Sequence, residues 1–305
     1  MDRKRLKEWA KSALHKNYWK SVLVSVIFFI ATFFTVYFIS YGISFGMGYG
    51  TTFGIVTVGA LFADGGVDTE SIIAIGITML FMVGIGLIFF AVGAASKAFL
   101  ANPVEIGCKK YLCKSLYKSE TGLGEMGAGF KKDYKNIAKT MFVRDIYIGL
   151  WAALCMTVYM ILGMAVLFGG IFLMEENSYK MSEFGEFLWM FLLVMVVYAI
   201  CITCFIPMYI KVLHYMCIPY ILADKPDMPR KEVFELSKKM IQGDKWNVFV
   251  MHLSFIGWLI LSGCTCYILH IFYVGPYMEY TNAAYYEALK QKVGWRPDTL
   301  CVIEQ

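Results

Sequence analysis

Five long apolar stretches, at residues 22–41, 72–95, 146–174, 187–210 and 248–271, dominate this chain. A helix needs about 20 apolar residues to cross roughly 30 Å of hydrocarbon. Only helices and closed barrels satisfy their backbone polar groups there. All five stretches reach that length, so the sequence predicts an all-α fold. It is a polytopic transmembrane helix bundle forming a single membrane domain over 1–305. The chain is 59% hydrophobic and 17% charged, against about 25% charged in ordinary soluble domains. A soluble fold of this composition would leave a large apolar patch in water.

Lysine and arginine fall on alternate sides of these stretches, which sets an orientation. Arg3, Lys4, Arg5, Lys7, Lys11, Lys16 and Lys20 precede the first, so the amino terminus is expected in the cytoplasm. The next loop carries Asp64, Asp68 and Glu70 without a lysine or arginine and reads as external. Segment 97–144 is basic, from Lys97 through Lys109, Lys110 and Lys114 to Arg144, and reads as cytoplasmic. The loop with Glu175, Glu176, Glu183 and Glu186 is external, and the basic segment 211–245 is cytoplasmic again. These basic residues flank hydrophobic spans instead of covering a soluble face. Anionic lipid headgroups are therefore the expected neighbours, and nucleic acid is not an expected partner. The first apolar run exceeds the 7–15 residues of a signal core and no small-residue cleavage site follows, so it is expected to stay attached.

The last stretch has two readings. Residues 248–271 form one tilted span with an external carboxyl terminus. Alternatively, Ser262-Gly263-Cys264-Thr265 turns the chain into a short fifth span and a sixth from about Cys266 to Tyr286. Lys290, Lys292 and Arg296, together with the tyrosines at 277, 280, 285 and 286, favour six spans over five. On the six-span reading, Glu279 lies near the inner interface as a hydrated carboxylate, with Thr281 and Asn282 beside it.

Three cytoplasmic segments show helical amphipathicity. In 1–18, Leu6, Trp9, Ala10, Ala13 and Leu14 share a face, giving a basic amphipathic helix along the inner leaflet. Val104, Cys108, Tyr111, Leu112 and Ser115 line another, with Lys109, Lys110 and Lys114 away from it. Val233, Phe234, Met240 and Ile241 line a third, with Pro229 at its first turn and Gly243 as its stop. These helices are expected at the interface, by packing before partner binding.

Gly42, Gly46, Gly50 and Gly54 recur every four residues, with Gly48 and Gly59 beside them. That spacing permits close helix approach. Segment 42–70 reads either as an outer re-entrant element or as an external glycine-rich, acidic loop. Ser254, Gly257 and Trp258 at i, i+3 and i+4 are expected to share a packing face, so that Gly257→Leu would force helices apart. Pro207 is expected to interrupt the fourth span.

Other apparent motifs lack their context. Gly122-Leu123-Gly124-Glu125-Met126-Gly127 matches G-x-G-x-x-G, but no strand precedes it and no βαβ unit surrounds it. The nine cysteines have no zinc spacing, and Cys155, Cys201, Cys204 and Cys264 read as small hydrophobes. His214, His252 and His270 are scattered over three elements and read as packing and hydrogen-bonding residues, although a membrane histidine is a functional candidate. Arg144 and Asp145 sit at a span entry as a prospective pair. No carboxylate stands at mid-membrane in the first four spans, and there is no phosphate loop, H-E-x-x-H helix or G-x-S-x-G elbow. The sequence thus points away from an enzyme and calls for no cofactor, catalytic group or metal.

The carboxyl-terminal third carries a resemblance. Pro207, then Tyr220-Ile221-Leu222-Ala223-Asp224, Leu236-Ser237 with Met240, Gly243 and Lys245, and Leu253 to Trp258 lead to Pro276-Tyr277, Thr281, Ala284, Tyr286 and Leu289. Together they resemble a bacterial family of integral membrane proteins known as domain of unknown function 975. Asn17-Tyr18-Trp19-Lys20 and the region from Gly129-Phe130 to Tyr134 fit more loosely. The chain departs from the family pattern at Met208, where glycine is expected, and at Ser262 to Cys266, where a Gly-Ile-Gly-like turn is usual. The resemblance implies a helical bundle in a bacterial inner membrane and brings no activity with it. The expected function is a non-enzymatic membrane protein that binds partner proteins or lipid, or associates with itself, as a scaffold or in envelope homeostasis. The alternative is a transporter or channel for a small or lipid-like solute, and an intramembrane enzyme stands third.

Overall fold

A computed structural model of the chain describes residues 3–49, 52, 69–118, 121–131, 133–177 and 182–295. Among them every regular element is helical. Gly50, Gly54 and Gly59, the acidic residues Asp64 and Asp68, Lys180 and Arg296 lie outside the described residues.

The chain opens with α1 (Arg3–Lys16) and α2 (Tyr18–Ile43), and α2 runs on through a π-helical turn, Ser44–Tyr49. Next come α3 (Thr69–Ser96), a second π-helical turn (Lys97–Ala101) and α4 (Asn102–Tyr117). A 3-10 helix, Leu123–Phe130, leads to α5 (Tyr134–Asn177) and α6 (Glu183–Tyr215). Then follow the short α7 (Ile218–Asp224), α8 (Arg230–Ile241), α9 (Lys245–Leu253) and α10 (Ile256–Cys264). A last π-helical turn, His270–Val274, enters α11 (Gly275–Val293).

Five segments are long and apolar enough to cross a membrane, and few of their residues are buried inside the protein. α2 pairs with α3, and α5 with α6, as antiparallel hairpins. Their outer faces expose Phe33, Leu80, Phe172 and Ile202. Such surface is stable only against lipid, so this is a multi-pass membrane protein. At 44 residues, α5 is about 66 Å long at ~1.5 Å per residue. It crosses the apolar layer with turns to spare, and its first turns belong to the polar end.

At that end the lysine-rich segments fold together. α1 packs on α11, α4 on α7 and α11, and α8 on α11 and the end of α6. The apolar faces read from the sequence are turned onto one another: Leu6, Ala10 and Leu14 of α1, Tyr111 and Leu112 of α4, and Val233, Met240 and Ile241 of α8 are all buried. They share one core with Tyr280, Ala284, Tyr285 and Leu289 of α11. Gly243, at φ +86°, follows the end of α8 in a conformation that costs a side-chain-bearing residue strain.

Four expectations need correcting. Residues 42–49 are not loop, because α2 continues helically through Gly42 and Gly46 to Tyr49. Pro207 does not interrupt its helix: α6 runs unbroken from Glu183 to Tyr215 around it. Within hydrocarbon, keeping the remaining backbone bonds is cheaper than opening the helix. Ser254, Gly257 and Trp258 do not share a helix, since the chain turns at Ser254 and Phe255 between α9 and α10. A Cβ on Gly257 would meet nothing within 4 Å. Lys109 is not on a solvated face but only 7% exposed.

The last apolar stretch is a hairpin. α10 ends at Cys264, and Cys266 and Tyr267 take left-handed φ values of +49° and +64°. The chain then returns through residues 268–274 into α11. Trp258 faces Tyr273 across this hairpin with ring centroids 5.6 Å apart, and Phe255 meets Tyr277 edge-on at 5.2 Å. Pro276 sits in the first turn of α11, and the Phe272 carbonyl, four residues earlier, accepts instead from the Tyr18 hydroxyl at 3.1 Å.

Candidate functional site

Three clusters of buried charge at the lysine-rich end each cross between elements. In the first, Lys109 of α4 pairs directly with Glu279 of α11. Its ammonium stands 5.2 Å from the Tyr220 ring and 5.6 Å from the Phe28 ring, in cation–π range. Glu279 is therefore an ion-pair partner and not the lone hydrated carboxylate expected from sequence.

The second cluster joins α4 to α5. Arg144 grips Glu105 with two nitrogens, at 3.3 and 3.1 Å, and donates to Asp145 at 2.8 Å. Asp145 also accepts from Asn102 at 2.8 Å, with Lys97 3.6 Å away. The Arg144–Asp145 pair was legible as adjacent opposite charges. Glu105, which sets the fork geometry, was not.

The third cluster closes the core around Asp224, the last residue of α7. Its Oδ2 accepts from Tyr286 and from Lys290, both at 2.9 Å. Lys290 also donates to Glu287 at 3.0 Å, and Glu287 accepts from Tyr117 at 3.0 Å. Burial pushes the Glu287 carboxyl above its ordinary 4.5 despite Lys290. Burial opposes the charge on Lys290, but Asp224 and Glu287 outweigh it and raise its pKa.

Hydroxyl and imidazole groups extend these clusters. Tyr280 bridges Ser21 at 2.7 Å and Ser115 at 2.8 Å, tying α2 and α4 to α11. His252 lies between Tyr209 (3.0 Å at Nδ1) and Asn282 (3.1 Å at Nε2). A neutral ring carrying its proton on Nε2 satisfies both: the Tyr209 hydroxyl donates to Nδ1 and Nε2–H donates to Asn282 Oδ1. Beside this chain, a cavity of about 200 Å³ opens between α2 and α11, with Thr32, His270, Glu279 and Asn282 on its wall.

Of the glycines singled out, Gly42 and Gly46 pack on α3. A Cβ on Gly42 would come within 2.6 Å of the Phe90 backbone, and one on Gly46 within 3.4 Å of Gly86. Sequence reading missed their counterpart: a Cβ on Gly86 would lie 2.6 Å from Gly46. It also missed Gly107, whose Cβ would overlap the Met126 carbonyl at 1.9 Å. The 3-10 helix carrying the G-x-G-x-x-G letters thus packs on α4 through Met126 and Gly129, while a Cβ on Gly122, Gly124 or Gly127 would meet nothing within 4 Å. Asp224 anchors the third cluster, and Gly243 is exposed just after α8. Lys245 and Trp246 line an apolar groove of about 710 Å³ between α6 and α9, and Pro207 lies within α6 outside that lining.

Comparison with known proteins gives one match. The family profile described as protein of unknown function, DUF975, matches residues 1–293, and the chain belongs to that family. No curated protein matches, and no solved structure does either.

Proposed function

We propose that this DUF975 protein is a non-enzymatic inner-membrane protein of a bacterium that binds anionic lipid, or a partner protein, at its lysine-rich end. It acts there as a scaffold or in envelope homeostasis. In this reading the amino terminus and both basic segments face the cytoplasm, where anionic headgroups meet them. One observation carries it: every lysine-rich segment folds into a single unit at one end of lipid-exposed hairpins. The buried charges of that unit pair with each other, and Lys238 and Lys239, exposed on α8, are available to a ligand. Ion pairs of this kind hold elements in register and call for no chemistry.

Purification in mild detergent, with identification of what stays bound, tests the reading. Retained phosphatidylglycerol or cardiolipin, or a stoichiometric protein partner, is the expected result. A fully delipidated, partner-free preparation with unchanged melting temperature would sink it.

The cavity lined by Glu279, Asn282 and His270 supports a second reading, a transporter or channel for a small solute. It requires water access to that wall. Glu279→Cys should then react with a membrane-impermeant thiol reagent from one side of sealed vesicles, and protection from both sides removes this reading.

A further inference from the structure

The groove between α6 and α9 has the shape and charge of a phospholipid site. Along α6 it runs from Cys201 past Phe205 and Ile206 to Tyr209 and Leu213, and Lys245, Trp246 and Phe249 close it from α9. Twelve helical steps at ~1.5 Å give it a length of about 18 Å, which accommodates most of an acyl chain. Phe249 packs edge-on against Tyr209, with centroids 5.8 Å apart, and fixes the two walls.

The two ends of the groove differ in charge. At the Cys201 end the wall is apolar. At the Leu213 end, Lys211, Lys238 and Lys245 all lie within electrostatic reach of His214. The Ser237 hydroxyl donates to the His214 carbonyl at 2.7 Å and brings the last turn of α8 alongside. Lys211 rests over the Trp151 ring at 4.4 Å. Asp244, the carboxylate nearest in sequence to Lys245, is taken up by Lys292 and Asn247. Among the described residues no carboxylate pairs with Lys238 or Lys245. Trp246 is 71% exposed beside them, a residue type suited to headgroup level.

We infer that this groove is a site for one anionic phospholipid, its acyl chain along α6 between Cys201 and Leu213 and its phosphate at Lys238 and Lys245. The site deepens the lipid-binding reading above and rests on it.

The full chain in nanodiscs of equimolar palmitoyl-oleoyl phosphatidylglycerol and phosphatidylcholine, read by native mass spectrometry, tests the site. Wild type should retain phosphatidylglycerol in preference. Lys238→Gln and Lys245→Gln should each lower that retention about fivefold and leave phosphatidylcholine unaffected, while Lys245→Arg keeps it. Ile206→Trp, which fills the groove from an exposed position, should reduce retention of both lipids. Each variant is first checked for monodispersity and wild-type melting. Lys118→Gln with Lys131→Gln removes twice the charge of either groove variant elsewhere and should change nothing. Equal losses in that control overturn the site in favour of charge alone. Phosphatidylglycerol retention untouched by the groove variants overturns the site and leaves lipid binding standing. No preference for phosphatidylglycerol in wild type defeats both.

Discussion

Lys109 and Glu279 show how much a single residue's setting depends on the fold. Each belongs by sequence to a solvated face, yet the side chains meet between α4 and α11 with Lys109 almost fully covered. Removing Glu279 leaves Lys109 buried and unpaired, so Glu279→Met should destabilise the protein by about 3–5 kcal/mol. The double variant Lys109→Met/Glu279→Met should recover most of that loss, and melting temperatures in mild detergent compare the two. Similar losses in single and double variants would argue against the pair. The Asp224 cluster gives a pH-dependent counterpart. Glu287 titrates above its ordinary 4.5, so its contribution to stability is fullest below that value and declines as pH rises through the raised one. Lys290 titrates above its ordinary 10.5, so its contribution is complete below 10.5 and is lost as pH climbs beyond it. Glu287→Gln should therefore flatten the stability difference on the acid side while the alkaline loss persists. Parallel thermal melts of wild type and variant across both limbs check it, and identical profiles would refute it.

At the scale of elements, glycine positions decide which helices touch. A Cβ on Gly42 or on Gly86 would come within 2.7 Å of the facing backbone, because two backbones share the space. Gly86→Leu should drive α2 from α3 and give an aggregated or strongly destabilised protein on gel filtration. Gly257→Leu, by contrast, should behave like wild type, since nothing lies within 4 Å of its missing Cβ. The opposite pair of results would reverse this account of the hairpins. The same regular spacing in a sequence thus has different weight according to what the fold sets opposite it.

For the whole molecule, the geometry brings both described ends together: α1 packs on α11, and the final hairpin returns the chain to its starting side. A reporter fused after Gln305 should be active only in the cytoplasm. Cysteines introduced in the basic segment 97–144, on a background cleared of competing thiols, should resist impermeant reagents in intact cells. External reporter activity would mean that the return arm does not come back as described. α11, rich in tyrosine and charge, is not among the five segments long and apolar enough to cross a membrane, so the sixth span expected to reach Tyr286 is not one of them. Tyr280, Tyr285 and Tyr286 are buried in the core against α1, α4 and α7.

The sequence by itself determined the fold class, the five apolar spans, the grouping of lysine-rich segments and the apolar faces of α1, α4 and α8. Those follow from composition and period, which act locally: a run of 20 apolar residues seeks lipid whatever else the chain contains, and a 3.6-residue stripe must be covered by something. The tertiary structure alone decided what covers it. That Tyr111 meets the same core as Val233, that Glu105 completes the Arg144 fork, and that Gly86 answers Gly42 are relations between residues far apart in the chain. No local pattern encodes which partner a face will find, because many partners satisfy the same hydrophobic and electrostatic demand and only the packed whole selects one.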